Sequence, residues 1–350
     1  MMNERYSHSA LLTFSTALLQ TIGLAEPRAR VVSEILVEGD LLGHPTHGLN
    51  LLSRYLSEID RGTMTVAGDP EVVSDHGAAV TWDGGRLPGP WLVNQALDLA
   101  LERAERYGVC VVTIRRSHHI ACLSAYMARA AARRCVVILL SSDPSQITVA
   151  PFGGKRPLLT PNPIAAAYPA GPDPVLVDVS TSTTTNGLTA TLLKQGRQLD
   201  HPWLVDSHGT PSTDPRVLAT DPPGAILPLG DMTCGHKGFA LSVLVEALTS
   251  GLAGYGRADA AKGWGASVFL QVISPRFFGG AGAFERETSW LADAARNTPA
   301  SGSQPVRMPG DRALAKKTRQ LEAGVELEPH VMVELGPWAA RLGVAMPAPL

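Results

Sequence analysis

The chain has 350 residues, 45% of them hydrophobic and 18% charged, with a formal net charge of -2. That length buries a sizeable core and suggests about two domains, and the balanced charge excludes a globally basic nucleic-acid binder. The four cysteines, Cys110, Cys122, Cys135 and Cys234, form no CxxC pair, which argues against zinc-ribbon or dithiol redox chemistry and for a reducing cytoplasm.

The stretch MMNERYSHSALL lacks a basic region running into a long apolar core, so no signal peptide is expected. Apolar runs such as Cys135–Leu140 are too short to span a bilayer, and a cytoplasmic protein without a membrane partner is expected. Ser9–Leu19 and Glu26–Leu42 carry helical spacing, and Thr46–Leu56 resumes it after His44-Pro45, with Thr46 as a cap. Glu71–Trp82 is strand material broken by the turn-like Asp75-His76-Gly77. Trp91–Arg106 is helical, with Leu92, Ala96, Leu99 and Ala100 on one side. Val109–Ile114 is a β-branched strand, and Ala121–Arg134 reads as an amphipathic helix. Ser117-His118-His119 lies between the two, where an imidazole can exchange a proton near neutrality.

Cys135–Leu140, Ile164–Tyr168 and Val175–Val179 read as short strands, and Asp200–Pro215 as a surface loop. Gly230–Gly238 precedes a helix expected from Phe239 to about Leu252. Val268–Ile273 is a further strand, Ser289–Asn297 and Arg312–Ala323 are helical, and Met346–Leu350 reads as a frayed end.

No G-x-G-x-x-G follows a strand, so a Rossmann dinucleotide site is not supported. Gly235-His236-Lys237-Gly238 resembles a P-loop but has glycine where the magnesium-holding Ser/Thr belongs, which argues against an NTPase. Glycines and a lysine opening a helix still suit an anion. His44 and His47 form HxxH without HExxH or a well-placed carboxylate, so no metal is expected. Asp178 and Asp206 end apolar runs, where each suits a ribose hydroxyl or a turn cap equally. Chemistry alone reaches an α/β enzyme with histidine acid–base catalysis and an anionic ligand.

Taken together, Gly43-His44-Pro45-Thr46-His47-Gly48 with Tyr55, Ser117-His118-His119-Ile120-Ala121, Pro151-Phe152-Gly153-Gly154 with Pro161-Asn162-Pro163-Ile164, Gly209–Pro215 with Gly235-His236-Lys237-Gly238, and Met308-Pro309-Gly310-Asp311 resemble, in order, the motifs of the non-Rossmann malate/L-lactate dehydrogenase family. That family also holds ureidoglycolate and sulfolactate dehydrogenases, diketogulonate reductases and cyclic imino acid reductases. The resemblance implies an α/β non-Rossmann fold: a helical unit at 1–80 packing with 290–350, and a central mixed-sheet domain at 81–289 binding NAD or NADP. It implies a homodimer acting on a small molecule. By position, His119 resembles the proton-transfer histidine and His47 a second catalytic histidine. Tyr55, Ser142 and Asp143 resemble substrate contacts. Ser142, Asp178, Val179, Ser180, His236, Lys237, Met308, Pro309 and Gly310 resemble cofactor contacts.

Three positions depart from the pattern: Thr46 replaces serine, Ala121 replaces glycine, and Leu51 stands where arginine is usual. Arg54 is the nearest cation to take over from the missing arginine. The expected activity is hydride transfer between nicotinamide and a 2-hydroxy or 2-oxo acid-like substrate. Reduction of a cyclic imine and a catalytically silent binding subunit are the alternatives.

Overall fold

The computed structural model describes residues 4–350, so Met1–Asn3, part of the stretch read for a leader, lie outside the described residues. Strand β1 (Glu4–Tyr6) leads into α1 (His8–Thr21), which buries Leu11, Phe14, Leu18 and Leu19 at helical spacing. Helix α2 (Glu26–Leu41) carries Pro27 in its first turn, where a missing N–H removes no intrahelical bond. Two short 3-10 turns, Pro45–His47 and Leu49–Leu51, come before α3 (Leu52–Asp60). The helix expected from Thr46 is thus interrupted. The Thr46 hydroxyl meets the His47 ring at 2.9 Å instead of capping backbone N–H groups. Beneath the turn, buried Asp40 accepts the Leu49 N–H at 2.8 Å, and a side chain at Gly48 would strike that carboxyl.

The hairpin of β2 (Glu71–Asp75) and β3 (Ala79–Asp83) turns at the expected triplet. Helix α4 (Gly89–Tyr107) ends on left-handed Gly108 and feeds β4 (Val109–Ser117). The helix expected from Ala121 is shorter: a 3-10 turn at Leu123–Tyr126 leads into α5 (Met127–Ala132). Ala121 itself is left-handed (φ 57°), and the Tyr126 hydroxyl turns back to the Ile120 carbonyl at 2.6 Å, so the helix cannot begin there. Next come β5 (Val136–Ser142), β6 (Ile164–Tyr168), β7 (Val175–Val179) and α6 (Asn186–Lys194). Within the expected surface loop, β8 (Leu204–Val205) and β9 (Pro211–Ser212) join β10 (Ala225–Ile226) in a small sheet.

Helix α7 (Asp231–Glu246) begins eight residues before the expected Phe239, so Gly235–Gly238 lie inside its first turns. Left-handed Gly230 opens it, Asp231 suits the positive end of the helix, and Gly238 packs against the Leu229 backbone. Tertiary packing overrides the poor helix propensity of two glycines. Strand β11 (Ala266–Ile273), α8 (Ala281–Arg296), α9 (Asp311–Ala323), β12 (Val325–Leu327) and α10 (Pro329–Leu342) complete the chain.

The seven-stranded central sheet runs β2-β3-β4-β11-β5-β6-β7. Only β3 and β4 are parallel, and every other neighbouring pair is antiparallel. This is the mixed-sheet α/β fold expected from the sequence. Helix α4 packs on β4 and β11, while α1 and α3 touch α10 and α2 touches α9. Strand β1 pairs with β12, so both ends of the chain share one core. The central sheet already starts at Glu71. The final residue is tied down rather than frayed, since the Leu350 N–H reaches the Arg5 carbonyl at 2.8 Å. No described helix is long and apolar enough to cross a membrane.

Candidate active site

Register places the site. Strand β11 inserts between β4 and β5, pairing Ala266 with Ser117 and Ser267 with Ser142. Trp264, just before β11, therefore arrives beside His118 and His119, just after β4. Gly89 at the start of α4 sits directly on the His118 and His119 carbonyls, where an added Cβ would come within 2.4 Å. Only glycine permits that approach, and it fixes the backbone of the histidine pair.

The His119 ring lies between His47 and Trp264. It stacks on the indole with centroids 4.3 Å apart and faces the His47 ring at 6.0 Å. Fully buried Tyr55 donates its hydroxyl to the His119 carbonyl at 2.9 Å and lies 3.1 Å from His119 Nδ1. The Ala121 N–H also points at Nδ1, at 3.2 Å. Nδ1 thus faces one group that can only donate and one that can donate or accept. Burial holds the His119 imidazole well below its ordinary value, and His47, His118 and Arg54 push the same way. Burial likewise lowers His47, against the pull of Asp178.

His118 points inward. Its Nε2 lies 3.3 Å from Glu58, its Nδ1 is buried without a partner, and burial pushes it down to about 4. It packs edge-on against Tyr55 and Trp264. Leu51 leans on the hydrophobic core and offers no hydrogen bond. The Arg54 guanidinium lies 3.5 Å over Trp264. Arg54 and His119 thus both stack on the same indole.

Asp143 accepts from the Ser145 N–H at 2.9 Å and from the Gly265 N–H at 3.3 Å, which ties it to the Trp264 loop; burial raises its value. Ser142 is committed elsewhere, since its hydroxyl is buried against Thr249 and Ser250 at 2.7 and 3.2 Å.

The residues matched to a cofactor line a neighbouring edge. Asp178 and Val179 are exposed at the end of edge strand β7, with Ser180 following. The Pro309 carbonyl accepts the Leu176 N–H at 3.1 Å, which lays Met308–Gly310 along the same strand. The Leu229 N–H reaches the Thr181 carbonyl at 2.9 Å, and Gly238 packs on Leu229, so α7 stands close by with His236 and Lys237 exposed. Along the hydroxyl-rich stretch after β7, Thr184 keeps a buried Oγ1 without a partner. Hydroxyls, a carboxylate and a lysine suit the ribose and phosphate groups of a dinucleotide. The α7 N-terminus itself carries Asp231, whose carboxylate already takes the Thr233 N–H.

The geometry gathers His119, Tyr55, Arg54 and Asp143 around Trp264, His47 faces the His119 ring, and Asp178 joins them through Ser124, which follows His119 and donates to it. Trp264 and Ser124 were not singled out from sequence. A tryptophan between two glycines ahead of a strand was the available signal for the first; the second had none.

The malate/L-lactate dehydrogenase family model matches residues 6–336. The chain belongs to the malate/L-lactate dehydrogenase family. It is 31% identical over 324 residues to an L-lactate dehydrogenase of Cupriavidus necator, covering 90% of this chain and 91% of that one. Its fold superposes on malate dehydrogenase from Entamoeba histolytica with a TM-score of 0.92 at 23% identity, over 99% and 100% of the two chains. With delta1-piperideine-2-carboxylate reductase from Pseudomonas syringae the TM-score is 0.83 at 26% identity, over 96% and 100%. The family is one of oxidoreductases that act on hydroxy acids.

Proposed function

We propose that this chain is an NAD(P)-dependent oxidoreductase moving hydride between nicotinamide and a 2-hydroxy or 2-oxo acid-like substrate, with His119 as the proton-transfer group. The observation that supports this most is the double environment of His119 Nδ1. When Nδ1–H points to Tyr55, Nε2 is bare and takes the proton of a substrate hydroxyl. The imidazolium that forms keeps its bond to Tyr55, whose own hydrogen stays on the His119 carbonyl. On reduction the proton returns through Nε2. When Nδ1 accepts from Ala121, the neutral ring instead carries Nε2–H and holds a carbonyl oxygen, but the proton that completes reduction comes from the imidazolium. His47 holds the reacting group from the other side, and Trp264 excludes water. A bound nicotinamide supplies or accepts the hydride. Asp178, Val179 and Ser180 would hold it with His236, Lys237 and Met308–Gly310. Thermal shift with NADH and NADPH separately tests this, because a ligand at 100 times its Kd stabilises by about 2.7 kcal/mol. No shift with either removes the reading and favours a silent binding subunit.

Leu51 and the stack around Trp264 bear on the substrate. With its guanidinium already stacked on the Trp264 indole, Arg54 is poorly placed to hold a carboxylate adjacent to a carbon whose oxygen sits at His119. Arg54 suits a more distant anionic group, and a carboxylate pressed on Leu51 would lose several kcal/mol. We therefore expect poor turnover of malate, lactate and sulfolactate and a preference for bulkier or less acidic 2-oxo acids. Leu51 also favours a second reading, a cyclic imine whose ring packs on leucine. A panel of those acids, larger 2-oxo acids and cyclic imines decides between them; efficient malate turnover unaffected by Arg54→Ala contradicts both.

A homodimer in the cytoplasm completes the reading. Helix α7 exposes Met232, Leu241, Val243 and Leu244 around its outer side, apolar surface of which a second copy would cover part. A light-scattering mass of a single chain would contradict it.

A further inference from the structure

Three side chains from separate parts of the chain converge beside the proton-transfer pocket. His44 follows α2, Cys122 follows His119 by three positions, and Asp178 lies near the end of β7. One ligand-type atom from each lies within 4.8 Å of the other two. Asp178 is already aimed, since its Oδ2 accepts the Ser124 N–H at 3.0 Å and the Ser124 hydroxyl at 2.7 Å. Its Oδ1 has no hydrogen bond among the described residues. The same Ser124 hydroxyl lies 3.2 Å from Cys122 Sγ, so one residue orients two of the three groups.

We propose that His44, Cys122 and Asp178 form a three-ligand site for zinc or a cation of its class, with the fourth position open to solvent. Imidazole nitrogen, thiolate sulfur and carboxylate oxygen are the donors zinc prefers. Bonds of about 2.0–2.3 Å place tetrahedral ligands roughly 3.3–3.8 Å apart, so the three atoms close by on the order of 1 Å. Asp178 is exposed and His44 half-buried, which leaves an entry from the Asp178 side. The Cys122 thiol is buried and pushed up to about 12 by that burial and by Asp178. Binding breaks its S–H bond, sends the proton to solvent and leaves the electron pair on sulfur for the metal. Thiolate and carboxylate then balance a divalent charge. An ion here withdraws Asp178 from the cofactor edge and inhibits reversibly; this consequence rests on the proposed role of Asp178, whereas the binding does not.

The test titrates Co2+ into the full-length, metal-free protein under reducing conditions. The expected result is a saturable sulfur-to-cobalt charge-transfer band with the visible bands of four-coordinate cobalt, erased by Zn2+. Cys122→Ser should lose the charge-transfer band, keep its metal-free turnover, and escape zinc inhibition. His44→Gln should weaken binding by about tenfold or more. Absence of the band in wild type, or a band unchanged in Cys122→Ser because it arises at exposed Cys234, overturns the site. A band without inhibition upholds the site and removes Asp178 from cofactor binding.

Discussion

The pocket around His119 and the helix face around Lys237 handle charge in opposite ways. At His119 the ring is enclosed by His47, Trp264 and Tyr55, and burial holds it neutral. At Lys237 the side chain stands exposed on α7 beside exposed His236, with no ion pair among the described residues. Proton transfer asks for a ring whose protonation is governed by fixed neighbours. Contact with a mobile anionic ligand asks for a full charge within reach of solvent, which burial would remove. The two regions should therefore fail differently when altered.

The sharpest break is His119→Ala, which should lower kcat by about 10²–10⁴-fold while cofactor affinity holds. Retention of more than half the turnover, with a substrate whose proton step limits the rate, would take His119 out of the chemistry. Tyr55→Phe should follow with a loss of about 10–100-fold in kcat/KM in both directions, since the imidazolium that both directions pass through then faces only the Ala121 donor at Nδ1. Wild-type kcat/KM in Tyr55→Phe would remove Tyr55 from the proton path. Lys237→Ala should do the converse, weakening cofactor binding by about tenfold or more at fixed salt with kcat preserved at saturation. Unchanged affinity by fluorescence titration would reduce that helix face to a structural role. The smallest effect is expected from Ala121→Gly. Relief of a left-handed alanine, offset by a freer unfolded chain, should raise stability by about 1 kcal/mol or less. A lowered Tm would show that the Ala121 methyl contributes packing that outweighs its strain.

The contrast also explains what the sequence made legible. β4, β6 and β7 are runs of largely β-branched or alanine residues, and their character is local. His119 and His47 could be singled out because motifs are local too. Trp264 could not, because its place against His119 comes from the pairing of Ala266 with Ser117, which no local pattern carries. The same holds for the early start of α7, decided by Gly238 against Leu229, and for the Ser142 hydroxyl, turned into the core by Thr249. Helix α10, with Pro337 inside it, lacks a clean signature and went unread. Its contacts with α1 and α3 hold it in place.

In the proposed mechanism a buried His119, neutral at rest, governs the proton in both directions. The pH dependence of kcat/KM measured for oxidation and reduction tests it most directly. Burial places the His119 value in the free enzyme below the ordinary 6.5. Oxidation needs the bare ring, so its rate should be level across neutral pH and fall only on the acid side, below that value. Reduction needs the protonated ring, so its rate should climb steadily as pH falls through the neutral range. An oxidation profile still rising between about pH 7 and 8, or profiles left unchanged in shape by His119→Ala, would contradict the account.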